Sequence, residues 1–301
     1  MLLSLWRRLP VIVRAPIMGL AVAAAGTVPW ALLGLANQRY VRLVPWAIVP
    51  AAAYLWLLWR YLNGDGWPER TSQARRTSLR AKSLSPDIWG AAVVAGMLGL
   101  AATLPLAEVW GRLVRLPSEA QPIVVPSGMP FPTVLLLLLM ASVVAGVVEE
   151  AAFRGYMQGA IERRHGPVVA ILATGAVFGL AHFTHHPAGV LVMLPYYVAV
   201  AAVYGGLAWL TNSIYPGLVL HIGGDVFVLT RLWVTGRPEW QQSSAPPALV
   251  WNGGADATFW ANLTMLILLG GATVWAYTAL AMLARNEQGG PRSLGAGSAR
   301  A

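Results

Sequence analysis

From His165 to Gly224 the chain runs for sixty residues without an Asp, Glu, Lys or Arg. A soluble domain has no use for a run of that length, because its surface must meet water on every side. A helix needs about 20 apolar residues to cross a bilayer, so this run alone holds two spans and part of a third. Further charge-free stretches cover Ala15–Gln38, Leu43–Trp59, Ile88–Ala107, Ala120–Val148 and Ala257–Ala284. Composition agrees: 57% of residues are hydrophobic and 11% charged, against roughly 25% charged in ordinary soluble domains. The expectation is an all-α fold, a polytopic membrane helical bundle of about eight transmembrane helices.

The net charge of +9 does not point to nucleic acid. The basic residues fall between the apolar stretches and form no continuous surface. Arg7, Arg8 and Arg14 precede the first stretch, and Arg60, Arg70, Arg75, Arg76, Arg80 and Lys82 follow the second. Arg163 and Arg164 follow the fourth, and Arg285, Arg292 and Arg300 follow the last. Cytoplasmic loops carry the excess of Lys and Arg, which gives an N-in, C-in arrangement. The first apolar stretch lacks a small-residue cleavage site and reads as a retained span. With no cysteine, disulfides and thiolate sites are excluded. The arginine-, alanine- and glycine-rich composition suits a GC-rich bacterial genome, hence a multi-pass protein of the inner (cytoplasmic) membrane. We expect one transmembrane domain over 1–285, with its functional core at about 132–235. A polar cytoplasmic loop spans 63–86, and a flexible cytoplasmic tail 286–301.

Few ionisable residues lie inside the spans, and such residues usually face the bundle interior. They are Glu149, Glu150 and Arg154 in "VVEEAAFRGY", His182 in "FGLAHFTHHP", and His221 with Asp225 in "LVLHIGGDVF". The fourth and fifth spans form a hairpin if the chain turns at "ERRHGP". Glu149 and His182 are equidistant from a point between His165 and Gly166, so such a hairpin sets them level. The sixth and seventh spans turn at "LTNSIYPG". At 1.5 Å per residue, His221 and Asp225 lie roughly 14 and 20 Å from Asn212, while Glu149 lies roughly 21 Å from Arg163. This arithmetic sets depth and leaves lateral position to the packing.

Helix geometry separates the two glutamates. Glu150 and Arg154 are four apart, acid first, the favoured order for an ion pair on one face. Glu149 is turned about 100° away and is left unpaired. Phe178 and His182, like His221 and Asp225, are i,i+4 pairs sharing a face. Each element also has a plainer reading. "EExxxR" can be an interfacial charge cluster, and His182 a helix–helix hydrogen-bonding residue. His221 with Asp225 can be a satisfied polar pair. His185 and His186, directly before Pro187, read as interfacial. Gly223 and Gly224 suit either close helix packing or the approach of a substrate backbone.

Together, "EEAAFR" at 149–154, "FGLAH" at 178–182 and "HIGGD" at 221–225 resemble the CAAX protease and bacteriocin-processing family (CPBP, also called Abi). Its pattern reads EExxxR, FxxxH and HxxxN or HxxxD. The resemblance covers about 132–235 and implies a metal-independent intramembrane glutamate endopeptidase with no cofactor. By carry-over, Glu149 with His182 activates a water, and His221 with Asp225 forms the oxyanion side. Glu150, Arg154 and Phe178 are supporting residues. Better-understood members have Asn where this chain has Asp225, and an ionised Asp only accepts hydrogen bonds. The implied partners are the lipid bilayer and a peptide or membrane-protein substrate, lipidated or not, and no nucleic acid. Three other readings remain open. Two histidines and a glutamate make a zinc hydrolase set, although no HExxH helix is present. A non-catalytic immunity or scaffold protein would need the fold but tolerate loss of Glu149. A transporter would use the same residues as a proton relay.

Overall fold

The computed structural model describes residues 6, 8–116, 127–184, 189–238, 240–241 and 248–289. Arg7, His185, His186, Pro187, Arg292, Arg300 and the tail from 290 lie outside the described residues. All regular structure among the described residues is helical. The elements are α1 (Val11–Tyr40), α2 (Ile48–Leu62), α3 (Ser72–Leu79), α4 (Pro86–Leu113) and α5 (Phe131–Glu149). A π-helical segment, π1 (Glu150–Gln158), leads into α6 (Gly159–Ala181). Then follow α7 (Val190–Thr211), α8 (Tyr215–Thr235) and α9 (Ala257–Gly289). Among the described residues, six helices are long and apolar enough to cross a membrane. Their outward faces carry large apolar side chains such as Leu35, Leu191, Ile267 and Trp275, each more than half exposed. Exposed apolar surface on that scale belongs against lipid.

Both differences between the eight expected spans and these six helices have local causes. Phe131–Ala181 is one continuous run of 51 residues, but Gly166 breaks it with φ 79° and ψ 169°, followed by Pro167. Positive φ is open to glycine and strained for L side chains, so the break falls where the sequence supplies the residue for it. The two arms form the expected hairpin. Phe153 and Phe178, equidistant from the same point between His165 and Gly166, meet edge-on at 5.2 Å. The second expected span is shorter than the charge-free stretch suggested. Asn37 holds the Val41–Ala47 connection, donating from Nδ2 to the Val41 and Val44 carbonyls and accepting from the Ala47 N–H. Leu43 and Val44 are thereby drawn into a turn, and α2 keeps 15 residues, about 22 Å of helix.

The expected polar loop 63–86 is folded. Arg75 sits at its centre, donating to the carbonyls of Asp65 and Gly66 and to Thr71 Oγ1, with its guanidinium 4.2 Å from the Tyr61 ring centroid. Leu79 is fully buried. Arg80 donates to both Glu162 oxygens, to Asn212 Oδ1 and to the Ala208 carbonyl, joining this segment to α6 and α7. At the other end of the bundle Arg112 of α4 pairs with Asp256, whose carboxylate also accepts the Phe259 N–H at the start of α9. The first residues of the expected flexible tail, 286–289, instead continue α9.

Small residues decide how close the helices around the site approach. A Cβ on Gly146 of α5 would stand 2.5 Å from Ile222 of α8. Gly26 of α1 lies against Val148, and Gly155 of π1 against the Ser78 and Leu79 carbonyls. Gly19 of α1 lies as closely against Ala152 and Met157 of π1, and eight of the nine π1 residues are buried. The central apolar core gathers Phe153, Met157, Ile161, Phe178, Met193 and Tyr197 from π1, α6 and α7.

Candidate active site

The α5–π1 junction falls between the two glutamates, and π-helical turns inside α-helices often occur at functional sites. Glu150 points inward. Its side chain and that of Arg154 have no solvent exposure, with Arg154 Nη1 3.2 Å from Glu150 Oε1. The guanidinium nitrogens make no aligned hydrogen bond among the described residues. The cation instead lies over two aromatic faces, 4.9 Å from the Phe178 centroid and 5.0 Å from that of Tyr204. Its charge is therefore balanced by one carboxylate and two π-faces, and Phe178 contributes a ring to that setting.

Glu150 has a second contact that the sequence reasoning missed. The same Oε1 lies 2.9 Å from His221 Nδ1, so Nδ1–H donates to the carboxylate. That bond fixes the ring orientation and leaves Nε2 to face the remaining acids, Glu149 Oε2 at 3.6 Å and Asp225 Oδ2 at 3.8 Å. The Tyr204 ring stacks on the imidazole at 4.9 Å and 13°. Gly217 makes this packing possible, since a Cβ there would stand 2.5 Å from Glu150 Oε2.

His182 follows the last turn of α6. Its Nδ1 lies 2.8 Å from the Phe178 carbonyl and must donate to it, which leaves Nε2 as the lone-pair nitrogen of the neutral ring. Tyr197 stacks on it at 4.4 Å and 26°. The two tyrosines, seven residues apart on α7, thus each support one histidine. Neither was singled out from sequence. The available signal was a pair of hydroxyl-bearing aromatics at two-turn spacing in the span between the histidine-bearing spans.

Glu149, His182, His221 and Asp225 all line one cavity of about 750 Å³, a size suited to a ligand site. Glu149 and Asp225 keep side-chain exposures of 21% and 26%, against 0% for Glu150. The cavity extends beside the site between the apolar side chains of Leu100, Leu104, Ala141, Ala145, Val228 and Leu232. Gly223 is not a close-packing residue, because nothing lies within 4 Å of where its Cβ would be. Gly224 lines the cavity.

The fold and site define a class: a polytopic helical membrane protein whose carboxylates and histidines converge on a cavity between its helices. Residues 131–227 match the family described as type II CAAX prenyl endopeptidase Rce1-like. Over that segment, 97 of the 301 residues, the chain is similar to the CAAX-type intramembrane proteases of the CPBP family. No curated protein and no solved structure matches the chain.

Proposed function

We propose that the chain is a glutamate-type intramembrane endopeptidase. The observation that carries this reading is the division between the adjacent glutamates. Glu150 is sealed against Arg154 and His221, while Glu149 opens on the cavity with His182, His221 and Asp225 around it. Glu149, with His182, holds a water against the scissile carbonyl. As the water oxygen bonds to the carbonyl carbon, Glu149 takes its proton. The carbonyl oxygen becomes an oxyanion, and the protonated form of His221 donates to it through Nε2. Collapse of the tetrahedral species breaks the C–N bond, and Glu149 returns the proton to the departing amine. The products are a carboxylic acid and an amine, and the acid's proton passes to the amine or to solvent.

Asp225 acts on His221 instead of on substrate, since an ionised carboxylate has no proton to donate to an oxyanion. Arg154 holds Glu150, and Glu150 holds the His221 ring. The reaction so written needs no metal or cofactor, and activity that persists after chelation tests that point. The substrate is a peptide or membrane-protein segment able to reach the cavity through the bilayer, and paired lipidated and unlipidated forms decide whether a lipid is required. The experiment compares membrane and secreted peptides of cells carrying wild-type protein with those carrying Glu149→Gln. An uncleaved precursor that accumulates with the variant supports the reading. A scaffold or immunity role predicts that the variant retains full function.

A further inference from the structure

The peptidase reading leaves the oxyanion with a single donor, because an ionised Asp225 has no proton to give it. The structure offers a tyrosine hydroxyl on the same cavity. Tyr204 of α7 lies lengthwise along one face of α8. Its Cδ1 is 3.7 Å from where a Cβ on Gly217 would stand, its ring covers the His221 imidazole, and its Oη is 3.6 Å from where a Cβ on Gly224 would stand. Gly217, His221 and Gly224 are at i, i+4 and i+7, one helical face, and glycine at either end leaves room for the ring and its hydroxyl.

The residue is only 4% exposed, and a buried tyrosine hydroxyl ordinarily finds a hydrogen-bond partner. This one makes no hydrogen bond among the described residues and is not among the polar atoms sealed from solvent. Tyr204 lines the same cavity as Glu149, His221 and Asp225. Its hydroxyl is thus a donor held on a rigid ring in the cavity that the acids and histidines line.

We propose that Tyr204 is a catalytic residue whose hydroxyl donates a hydrogen bond to the oxyanion formed from the scissile carbonyl, next to His221 Nε2. This rests on the peptidase reading. The hydroxyl keeps its proton throughout, so the atom balance of hydrolysis is unchanged. The ring has a separate duty, stacking on His221 and facing the Arg154 cation, and Tyr204→Phe removes only the hydroxyl.

The test uses the full-length protein in liposomes with a precursor whose cleavage in cells depends on Glu149. Tyr204→Phe is expected to lower kcat by about 10²–10³, the loss seen on deleting one oxyanion donor, with KM changed less than about threefold. Binding of a peptide aldehyde built on the cleavage site, whose hydrate mimics the tetrahedral species, should weaken in parallel. Binding of the uncleaved precursor to Glu149→Gln should be the same with Tyr or Phe at 204. Thermal unfolding in detergent separates a folding defect from a chemical one. Wild-type kcat and aldehyde affinity in a folded Tyr204→Phe protein would overturn the proposal. A wild-type protein that processes nothing Glu149→Gln fails to process would overturn the peptidase reading and this inference with it.

Discussion

Replacing Glu150 by Gln separates two duties that one oxygen performs. Oε1 is both the atom 3.2 Å from Arg154 and the acceptor 2.9 Å from His221 Nδ1. A Gln amide oxygen can occupy the same position, so the shape survives and the charge does not. Arg154 is then a fully buried cation that has lost its hydrogen-bond-distance carboxylate and keeps the Phe178 and Tyr204 faces against it. Removing one member of a buried ion pair costs about 3–5 kcal/mol, whereas the two cation–π contacts together return at most a few kcal/mol and are present already. At 1.4 kcal/mol per tenfold, the unfolding equilibrium should shift by about 10² to 4 × 10³. The hydrogen bond to His221 falls from charge-assisted to neutral, a difference of about 1–1.5 kcal/mol, or roughly tenfold in kcat if ring orientation limits the reaction. The double variant Glu150→Gln/Arg154→Met removes the stranded cation. It should regain most of the stability and none of the activity. Reversible unfolding in mixed micelles measures the first effect, and precursor cleavage in liposomes the second. A Glu150→Gln protein as stable and as active as wild type would refute the reasoning, as would a double variant no more stable than the single.

Gly217→Ala places a methyl 2.5 Å from Glu150 Oε2; overpacking of this kind costs about 1–3 kcal/mol, and because Glu150 is pinned by His221 and Arg154 the strain should appear as a kcat loss of about tenfold with the protein still folded. Asp256 is held below the usual carboxylate range first by its hydrogen bond from Arg112 and then by the Phe259 N–H. A depressed folded-state value contributes stability that is present above the ordinary Asp value of 3.8 and is lost as pH falls through the lower, folded one. Asp256→Asn should therefore unfold at a lower temperature than wild type at pH 7, with the gap closing under strongly acidic conditions; a gap independent of pH would contradict this linkage.

The bundle was legible in the chain because lipid leaves a coarse and redundant mark: runs without charge, interrupted by arginine, glycine and proline. The α5–α6 hairpin was legible in register as well. "ERRHGP" contains the one residue at which positive φ is free, and Gly166 adopts it. Depth matching of Glu149 with His221 also emerged, because antiparallel hairpins convert residue counts directly into height. What stayed hidden was lateral. Residue counts do not say that Glu150 turns toward α8 to meet His221, which depends on the close approach of Gly146 to Ile222 and of Gly217 to Glu150. The shortening of α2 was hidden for another reason: a single polar side chain, Asn37, captures the backbone of a turn that hydropathy alone reads as membrane span. The tyrosines were overlooked because an aromatic in an apolar stretch is most simply an interface anchor, and only the packing shows Tyr197 and Tyr204 lying against the histidines.

The central claim is that Glu149 is the base for peptide-bond hydrolysis, and one comparison tests it directly. Wild-type protein and Glu149→Gln, purified and reconstituted at equal amounts with matched unfolding temperatures, are given the precursor that accumulates in cells carrying the variant. Base catalysis by Glu149 predicts cleavage at one peptide bond by the wild type, incorporation of one oxygen from labelled water into the new carboxylate, and a rate for the variant lower by about three orders of magnitude or more, on the scale of losing an essential catalytic group. Undiminished cleavage by the folded Glu149→Gln protein would contradict it.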